Sequence, residues 1–529
     1  MSRRLFLCIG LFLAAGILLV SSWSSSDLQR MTRWHVEVDP SKPKADQEYD
    51  AIIVGSGFGG LSCGAMLAKH GYKVLVLEKN PVVGGLCSSY EKDGFRFCYG
   101  AEDICGLDER GSLKYLFRQL GLSPAELFVP NSHTFFDGVR PINVTPGEDS
   151  FEKAVAKIYP KEENNIRRFF AKAKEVYAEG YDTEMVQKWG IIVPEELIPQ
   201  AMPETWIKNY GATHKNLAEW SQRPYQDVLD EYFTSQELKT VLCGYVSYLG
   251  GFPYNTPASS VVVKTFEFLF YGGYQALGTP QHVAEAFARF ITQHGGSVQC
   301  EKPVKKIVVG RRGVKGVIVG DHTYEAPVVV CNVNTKTAYF DLLDPDDVPP
   351  DFLKELWSLP LGASALSLHL AVDHPLLSYA SIIQDRSNHV YLAIPSKNDP
   401  SVAPEGKSIC IARETVRFSS FIHNTKEENE QYVQQRGDDL LTKAKALVPE
   451  LKKGVVVEKV VTPNVFAELA SVPYGAIYGF DQSAAGAKPG FRAPIRGLYM
   501  SSASSGGAGV EPVVATGILC AHDIMGWKY

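Results

Sequence analysis

Residues 49–100 read YDAIIVGSGFGGLSCGAMLAKHGYKVLVLEKNPVVGGLCSSYEKDGFRFCYG. A short apolar run, Ala51 to Val54, ends in Gly55-Ser56-Gly57-Phe58-Gly59-Gly60. A helix-like stretch follows to Lys69, and a second apolar run, Lys73 to Leu77, stops at Glu78. Strand, glycine turn, helix, strand, acid is the order a dinucleotide requires. Gly55 permits the tight turn, Gly57 lets backbone approach a pyrophosphate, and Gly60 lets the helix lie close to the strand. The start of the helix offers free N–H groups and a partial positive charge to the phosphates. Glu78 is placed to accept hydrogen bonds from ribose hydroxyls, and its charge disfavours a 2′-phosphate, so FAD or NAD is expected here and not NADP. The competing readings are a chance glycine turn and a solvated strand-end acid, and the complete context weighs against both.

The chain has 529 residues, more than one ordinary core accommodates, so two or more structural units are expected. A net charge of −6 suits neither nucleic acid nor an anionic membrane face. The ten cysteines lack paired CxxC or metal-type spacing and read as small buried hydrophobes, with no metal site expected. At the N-terminus Arg3 and Arg4 precede the uncharged apolar run Leu5 to Val20. This is the pattern of a secretory signal. As a helix the run reaches about 24 Å against a bilayer core of ~30 Å, so residues 1–26 are expected to be a cleaved signal or a membrane anchor. The protein is accordingly expected on a membrane or in the secretory pathway, the endoplasmic reticulum in a eukaryote. Residues 27–48 are polar, carry prolines and read as a linker. Asn143-Val144-Thr145 is a glycosylation sequon that matters only if the body is lumenal or extracellular.

Near Gly278 a helix-like stretch, HVAEAFARFITQHGG, precedes short β-branched runs that end at Asn332. The strand-to-helix order returns at the C-terminus: Gly497 to Ser501, the loop SSASSGGAGVEP, then a helical stretch over Val513 to Met525. The intervening segments differ in style. Residues 142–277 are rich in helix formers and aromatics, and residues 346–470 mix strand-like runs with a charged helical stretch near Lys426 to Val448. An α/β architecture is expected. A Rossmann-type nucleotide domain would be assembled from residues 49–141, 278–345 and 471–529, with an inserted α+β substrate domain from 142–277 and 346–470. A catalytic cleft is expected between the two.

A second glycine motif follows Glu78 directly: Asn80-Pro81-Val82-Val83-Gly84-Gly85-Leu86-Cys87, then Gly94-Phe95-Arg96-Phe97-Cys98-Tyr99-Gly100. With Tyr271-Gly272-Gly273-Tyr274, Gly278-Thr279-Pro280, Pro303-Val304, Asn332, Gly475 to Gly479 and Gly506 to Pro512, it resembles the phytoene desaturase, carotenoid isomerase and retinol saturase group of the flavin amine oxidase-like superfamily. The resemblance covers nearly all of the chain after the linker. It implies a buried FAD, non-covalent because the late Ser-Gly-Gly-Cys anchor of some amine oxidases is missing. The implied cofactor residues are Gly55, Ser56, Gly57, Phe58, Gly59, Gly60, Glu78, Lys79, Gly84, Gly85, Leu86, Val304, Asn332, Gly509, Val510 and Glu511. A loop before the last helix would put its N–H groups near the flavin pyrimidine edge and stabilise the reduced ring. The chain departs from the group at Cys98, where relatives carry an acid. Glu102 and Asp103 follow soon after and either substitute for it or are simply solvated. No second dinucleotide fingerprint supports NAD(P).

The resemblance implies hydride or electron exchange between FAD and a carbon–carbon double bond of a conjugated isoprenoid, with saturation, desaturation or isomerisation as the outcome. Glu102, Asp103 and Tyr99 are the nearest acid–base candidates by position, and a structural role is the stronger reading of each. The aromatics Tyr245, Tyr248, Phe252, Tyr254, Phe266, Phe268, Phe270, Tyr271 and Tyr274 suit a tunnel for an apolar polyene or, at even weight, a packed core or membrane-docking face. Trp206, Tyr210 and the segment IIVPEELIPQAM are expected at a membrane surface. Two alternatives keep the fold. One is an oxidase of amines or prenylated thioethers, with Tyr474 and Tyr478 as candidates for an aromatic pair at the flavin. The other is a lipid-binding escort protein without flavin chemistry, against which the intact glycine fingerprint argues. The expected partners are thus an apolar small molecule and a membrane surface, and nucleic acid is not expected.

Overall fold

The computed structural model describes residues 49–145, 147, 149–181, 212–422, 425–481 and 489–527. The expected signal or anchor, the linker, and the segment with Trp206 and Tyr210 lie outside the described residues. No helix among the described residues is long and apolar enough to cross a membrane.

The quoted stretch folds as β1 (Ala51–Val54), α1 (Phe58–Lys69) and β2 (Val74–Leu77). Four further elements complete the nucleotide-binding layer: α2 (Pro280–Gln293), β3 (Ser297–Gln299), β4 (Val328–Cys331) and β5 (Leu498–Met500). The strands form an all-parallel sheet in the order β5-β4-β1-β2-β3, with Ala51 beside both Val328 and Val74. β1 is central and every one of its residues is buried, which is why AIIV shows no polar alternation. The last helix, α3 (Val510–Ile524), packs on α1. It starts three residues before the expected Val513. Pro512 is tolerated there because first-turn N–H groups have no partner inside the helix. Gly60 is required by close approach: a Cβ would stand 2.6 Å from the Gly55 carbonyl oxygen and 3.0 Å from Ile53 Cγ2.

Val304–Gly310 opens a separate antiparallel sheet with Gly313–Val319 and His322–Glu325. A seven-stranded sheet forms the second layer. Its order is Val455–Val461, Ser364–Val372, Ser408–Val416, Val390–Ala393, Ile382–Asp385, His133–Phe136 and Pro141–Val144. His133 to Val144 therefore leave the nucleotide-binding sheet earlier than the expected boundary at residue 141, because His133–Phe136 pair in parallel with Ile382–Asp385. The helix Lys426–Leu447 covers one face of this sheet and begins with a reciprocal Thr425–Glu428 capping box. Helices from residues 150–181 and 215–270 enclose a third core rich in stacked aromatics.

Paired residues of neighbouring strands share a face. One row across the seven-stranded sheet reads Phe135, Gln384, Tyr391, Arg413, Ser367 and Val461, and the next reads His133, Ile382, Ala393, Ile411, His369 and Lys459. This face looks onto the segment Tyr99–Cys105 that emerges from the nucleotide-binding layer.

Candidate active site

A single cavity of about 730 Å³ runs from the glycine turn to this sheet face. Gly55, Ser56, Gly57, Phe58, Gly59, Glu78, Lys79, Gly84, Gly85, Leu86, Val304, Asn332, Gly509 and Val510 all line it. Gly60 does not; its place is the helix–strand contact described above. Glu78 is buried. Its Oε2 accepts from the Ser56 amide at 2.9 Å and the Ser56 hydroxyl at 2.6 Å, and its Oε1 accepts from the Asn80 amide at 2.9 Å. A carboxylate has about four acceptor sites, and with Oε2 accepting twice and Oε1 once, it is Oε1 that retains capacity for a ribose hydroxyl. The Lys79 ammonium is engaged by the Glu468 carbonyl. Asn332 works through its amide. Nδ2 donates to the Ser501 carbonyl at 2.6 Å, tying the ends of β4 and β5, while Oδ1 lies where a Gly57 Cβ would meet it at 2.4 Å.

The fit of a flavin dinucleotide rests on the two helix ends. α1 starts at Gly57 and α3 at Gly509, neither N-terminus has a side-chain cap, and both residues line the cavity. Ser56, the natural capping candidate, spends its hydroxyl on Glu78. Two sets of unmatched donors and two positive helix ends thus face one space, which suits a pyrophosphate and an electron-rich ring edge.

Glu511 departs from expectation. It is buried and turned away from the cavity, accepting from the Ser112 amide at 3.0 Å and the Cys105 thiol at 3.5 Å. Ligating atoms of Cys105, Glu267 and Glu511 all lie within 4.8 Å of one another. The Lys264 ammonium, 2.6 Å from Glu267 Oε2, supplies one positive charge for the two acids. Burial, and then the Glu511 carboxyl, push Glu267 well above the ordinary carboxylate range; burial likewise raises Glu511, against the pull of Lys264. Through these bonds Glu511 holds α3 against the segment Cys105–Ser112. The sequence placed Glu511 on the right loop but could not show which side of the helix it takes.

Glu102 and Asp103 are buried rather than solvated, and both anchor the Tyr99–Cys105 segment to the sheet. Arg413 donates to Glu102 through both terminal nitrogens at 2.7 Å, to the Tyr99 carbonyl at 2.9 Å and through Nε to Ser367 Oγ at 2.8 Å. Such a bidentate pair fixes geometry as well as charge. Asp103 accepts from Asn131 Nδ2 at 2.9 Å and the Tyr248 hydroxyl at 3.0 Å, and sits 3.0 Å from His133 Nε2. Cys98, where the resemblance predicted an acid, lies 3.7 Å from Glu102 Oε1. The carboxylate is thus supplied four residues later in the chain. Tyr99 lines the cavity through a ring tilted against Tyr90 and His369.

The aromatic run divides. Tyr245, Phe266 and Phe270 are core, Tyr254 is exposed, and Tyr248, Phe252 and Phe268 line the cavity. Tyr248 stands between Phe268, 5.0 Å away, and Tyr391, 6.0 Å away, both edge to face. Tyr474 and Tyr478 do not form a pair: Tyr478 lines the cavity, whereas Tyr474 is exposed against Phe418. Arg413, Tyr391 and Gln384 escaped the sequence reading. The one available signal was Arg413, a charge inside the otherwise apolar run SICIAR.

Residues 58–525 match the family described as flavin containing amine oxidoreductase. The chain is 26% identical over 514 residues to prolycopene isomerase 1, chloroplastic, of an Oncidium hybrid cultivar, covering 92% of this chain and 85% of that protein. It is 25% identical over 518 residues to all-trans-retinol 13,14-reductase of Danio rerio, covering 87% and 83%. An oxidoreductase from Methanosarcina mazei shares the fold with a TM-score of 0.63 at 16% identity, over 89% of this chain and 99% of the other.

Proposed function

The chain belongs to the flavin containing amine oxidoreductase family, and from that premise we propose that it is an oxidoreductase with non-covalent FAD that acts on carbon–carbon double bonds of an apolar polyene, a carotenoid or retinoid, by saturation, desaturation or cis–trans isomerisation. The observation that carries this reading is the continuity of one cavity from the uncapped starts of α1 and α3 to the apolar walls of Tyr248, Phe268 and Tyr391. FAD held there supplies reversible hydride or electron exchange. The glycine turn and Glu78 would hold its ADP half, and Gly509 and Val510 would stand at its ring. The relatives that act on a carotenoid or retinoid at comparable identity support the substrate class. The cavity reading also favours an enzyme over an escort protein, and the separation of Tyr474 from Tyr478 leaves the amine alternative without the two tyrosines offered as candidates for its aromatic pair.

Tyr248 lines the apolar part of the cavity and donates its hydroxyl to the buried Asp103 carboxylate. Burial, and then Asp103, raise its pKa well above the ordinary phenol value, so it stays protonated. Asp103 and His133 behind it fix the orientation of the hydroxyl, since Tyr248 donates to Asp103 Oδ2 at 3.0 Å and His133 Nε2 sits 3.0 Å from the same oxygen. The purified protein is expected to be yellow and, incubated anaerobically with carotenoid and retinoid panels, to change flavin spectrum and polyene product together. A colourless, folded preparation sinks the oxidoreductase reading. Tyr248→Phe is expected to keep flavin and lose about 10²-fold in turnover, the low end for general acid–base catalysis. Unchanged turnover removes Tyr248 from the reaction.

The N-terminal pattern of residues 1–26 supports placing the protein on a membrane or in the secretory pathway, the endoplasmic reticulum in a eukaryote. The protein should then sediment with sealed vesicles from a homogenate that leaves organelles intact, and its recovery in the cytosolic fraction of that homogenate overturns this.

A further inference from the structure

One corner of the cavity contradicts a purely apolar ligand. It is formed by the hairpin that joins Ile382–Asp385 to Val390–Ala393 and by the helix Lys426–Leu447. Gln384 is 3% exposed, lines the cavity, and its Nε2 has no hydrogen-bond partner. A buried amide donor left unmatched forfeits its hydration without return, so its retention in the cavity wall points to a ligand acceptor.

Arg386 follows two residues later, about 7 Å along the strand direction. It is half-buried and lines the same space, and its guanidinium makes no hydrogen bond or ion pair among the described residues, the residue's one bond being from the His389 amide to its carbonyl. Burial pulls its pKa below the usual arginine value, only partly opposed by Cys243. The nearby acids are already committed. Asp385 accepts from Ser387 and Asn388 in its own turn, with Asn388 Nδ2 at 2.7 Å. Glu414 is shared by Arg436 and by Lys443, the latter at 3.4 Å. Cations at this corner outnumber acids, and the unmatched one is Arg386.

We propose that the substrate is an amphiphile, a polyene ending in a carboxylate that Arg386 and Gln384 hold at this corner while its chain lies along Tyr391, Tyr248 and Phe268. A planar guanidinium and an amide N–H together match the two oxygens of a carboxylate. The proposal rests on the polyene reading above and narrows it to polyene acids.

The test uses the full flavin-loaded chain with two probes, all-trans-retinoic acid and all-trans-retinol, which share the chain and differ at its end. Affinity is read from the perturbation of the flavin spectrum under anaerobic conditions. The acid is expected to bind at least tenfold tighter than the alcohol. Arg386→Met is expected to lose about thirtyfold for the acid, the size of one charge-assisted pair, and to leave the alcohol within a factor of two. Arg386→Lys should recover part of the loss. Should Arg386→Met fail to bind flavin, Gln384→Leu reads the same site and is expected to weaken the acid selectively. Equal affinity for the two probes in the unmodified protein overturns this proposal and leaves the polyene reading standing. Binding of neither probe by yellow protein overturns the retinoid form of that reading, and the proposal falls with it.

Discussion

Gly59→Ala is expected to give a protein that retains little flavin and unfolds at a distinctly lower urea midpoint. A Cβ at this position would stand 1.9 Å from the Ser501 carbonyl oxygen, 3.0 Å from its carbon and 2.9 Å from Asn332 Nδ2. The obstacle is backbone at the end of β5, held by the 2.6 Å bond from Asn332, so no flexible side chain can move aside. Overpacking of a well-packed site costs about 1–3 kcal/mol, and the rigid neighbour places this change at the upper end, about 3 kcal/mol. Any relief must come from lifting α1, which moves the donors that face the pyrophosphate. The flavin-to-protein absorbance ratio and the urea midpoint check both consequences. Gly180→Ala is the matched control. It lies in the helix Glu163–Tyr181, where the nearest atom to a new Cβ is 3.8 Å away, and is expected to be neutral or stabilising by about 0.5 kcal/mol. Full flavin and an unchanged midpoint for Gly59→Ala would falsify the close-contact account.

Arg413→Met is expected to be the most damaging single change on the sheet side. It leaves Glu102, 4% exposed, without its countercharge and also removes donors from the Tyr99 carbonyl and Ser367. Removing one member of a buried pair typically costs about 3–5 kcal/mol, and because Arg413 is itself 17% exposed we expect about 3. Glu102→Gln should cost less, since the guanidinium keeps its other two acceptors. The double variant Arg413→Met/Glu102→Gln should recover much of the loss, because no unpaired charge remains buried. Denaturation of the three variants gives the coupling directly. If the double variant is as unstable as the sum of the two singles, the pair is not the clamp described. These results also bear on Glu102 as a catalytic candidate: a loss of turnover that parallels the loss of stability marks it as a positioning residue.

Why some of this could be read from the chain and some could not follows from the range of the interactions. Gly55 to Glu78 is a continuous piece whose turn, helix start and strand-end acid are dictated locally, and of it Gly55 to Gly59 and Glu78 line the cavity, whereas Gly60 serves the helix–strand contact. The C-terminal loop was found by the same logic, since a strand, a glycine-rich turn and a helix are again contiguous. Its one error, Glu511, concerns the side of a helix facing a segment some 400 residues away in sequence, Cys105 to Ser112. The boundary at residue 141 failed for a similar reason. Strand pairing of His133–Phe136 with Ile382–Asp385 joins distant stretches, and neither shows in its own periodicity which sheet it will join.

The catalytic side shows the division most sharply. Residue type and order sufficed for the α/β class, the dinucleotide turn and the family, because each depends on backbone geometry that glycines and a short apolar strand impose within a few residues. The roles of Tyr99, Glu102 and Asp103 were undetermined at that level. They became an anchor when the register of the seven-stranded sheet brought Arg413 and His133 onto one face beneath them. The same register put Gln384 in the cavity wall, with Arg386 two residues on. Electrostatic and hydrogen-bond partnership depends on distance in space, and here it joins residues far apart along the chain, Arg413 to Glu102 and the strand of His133 to that of Ile382.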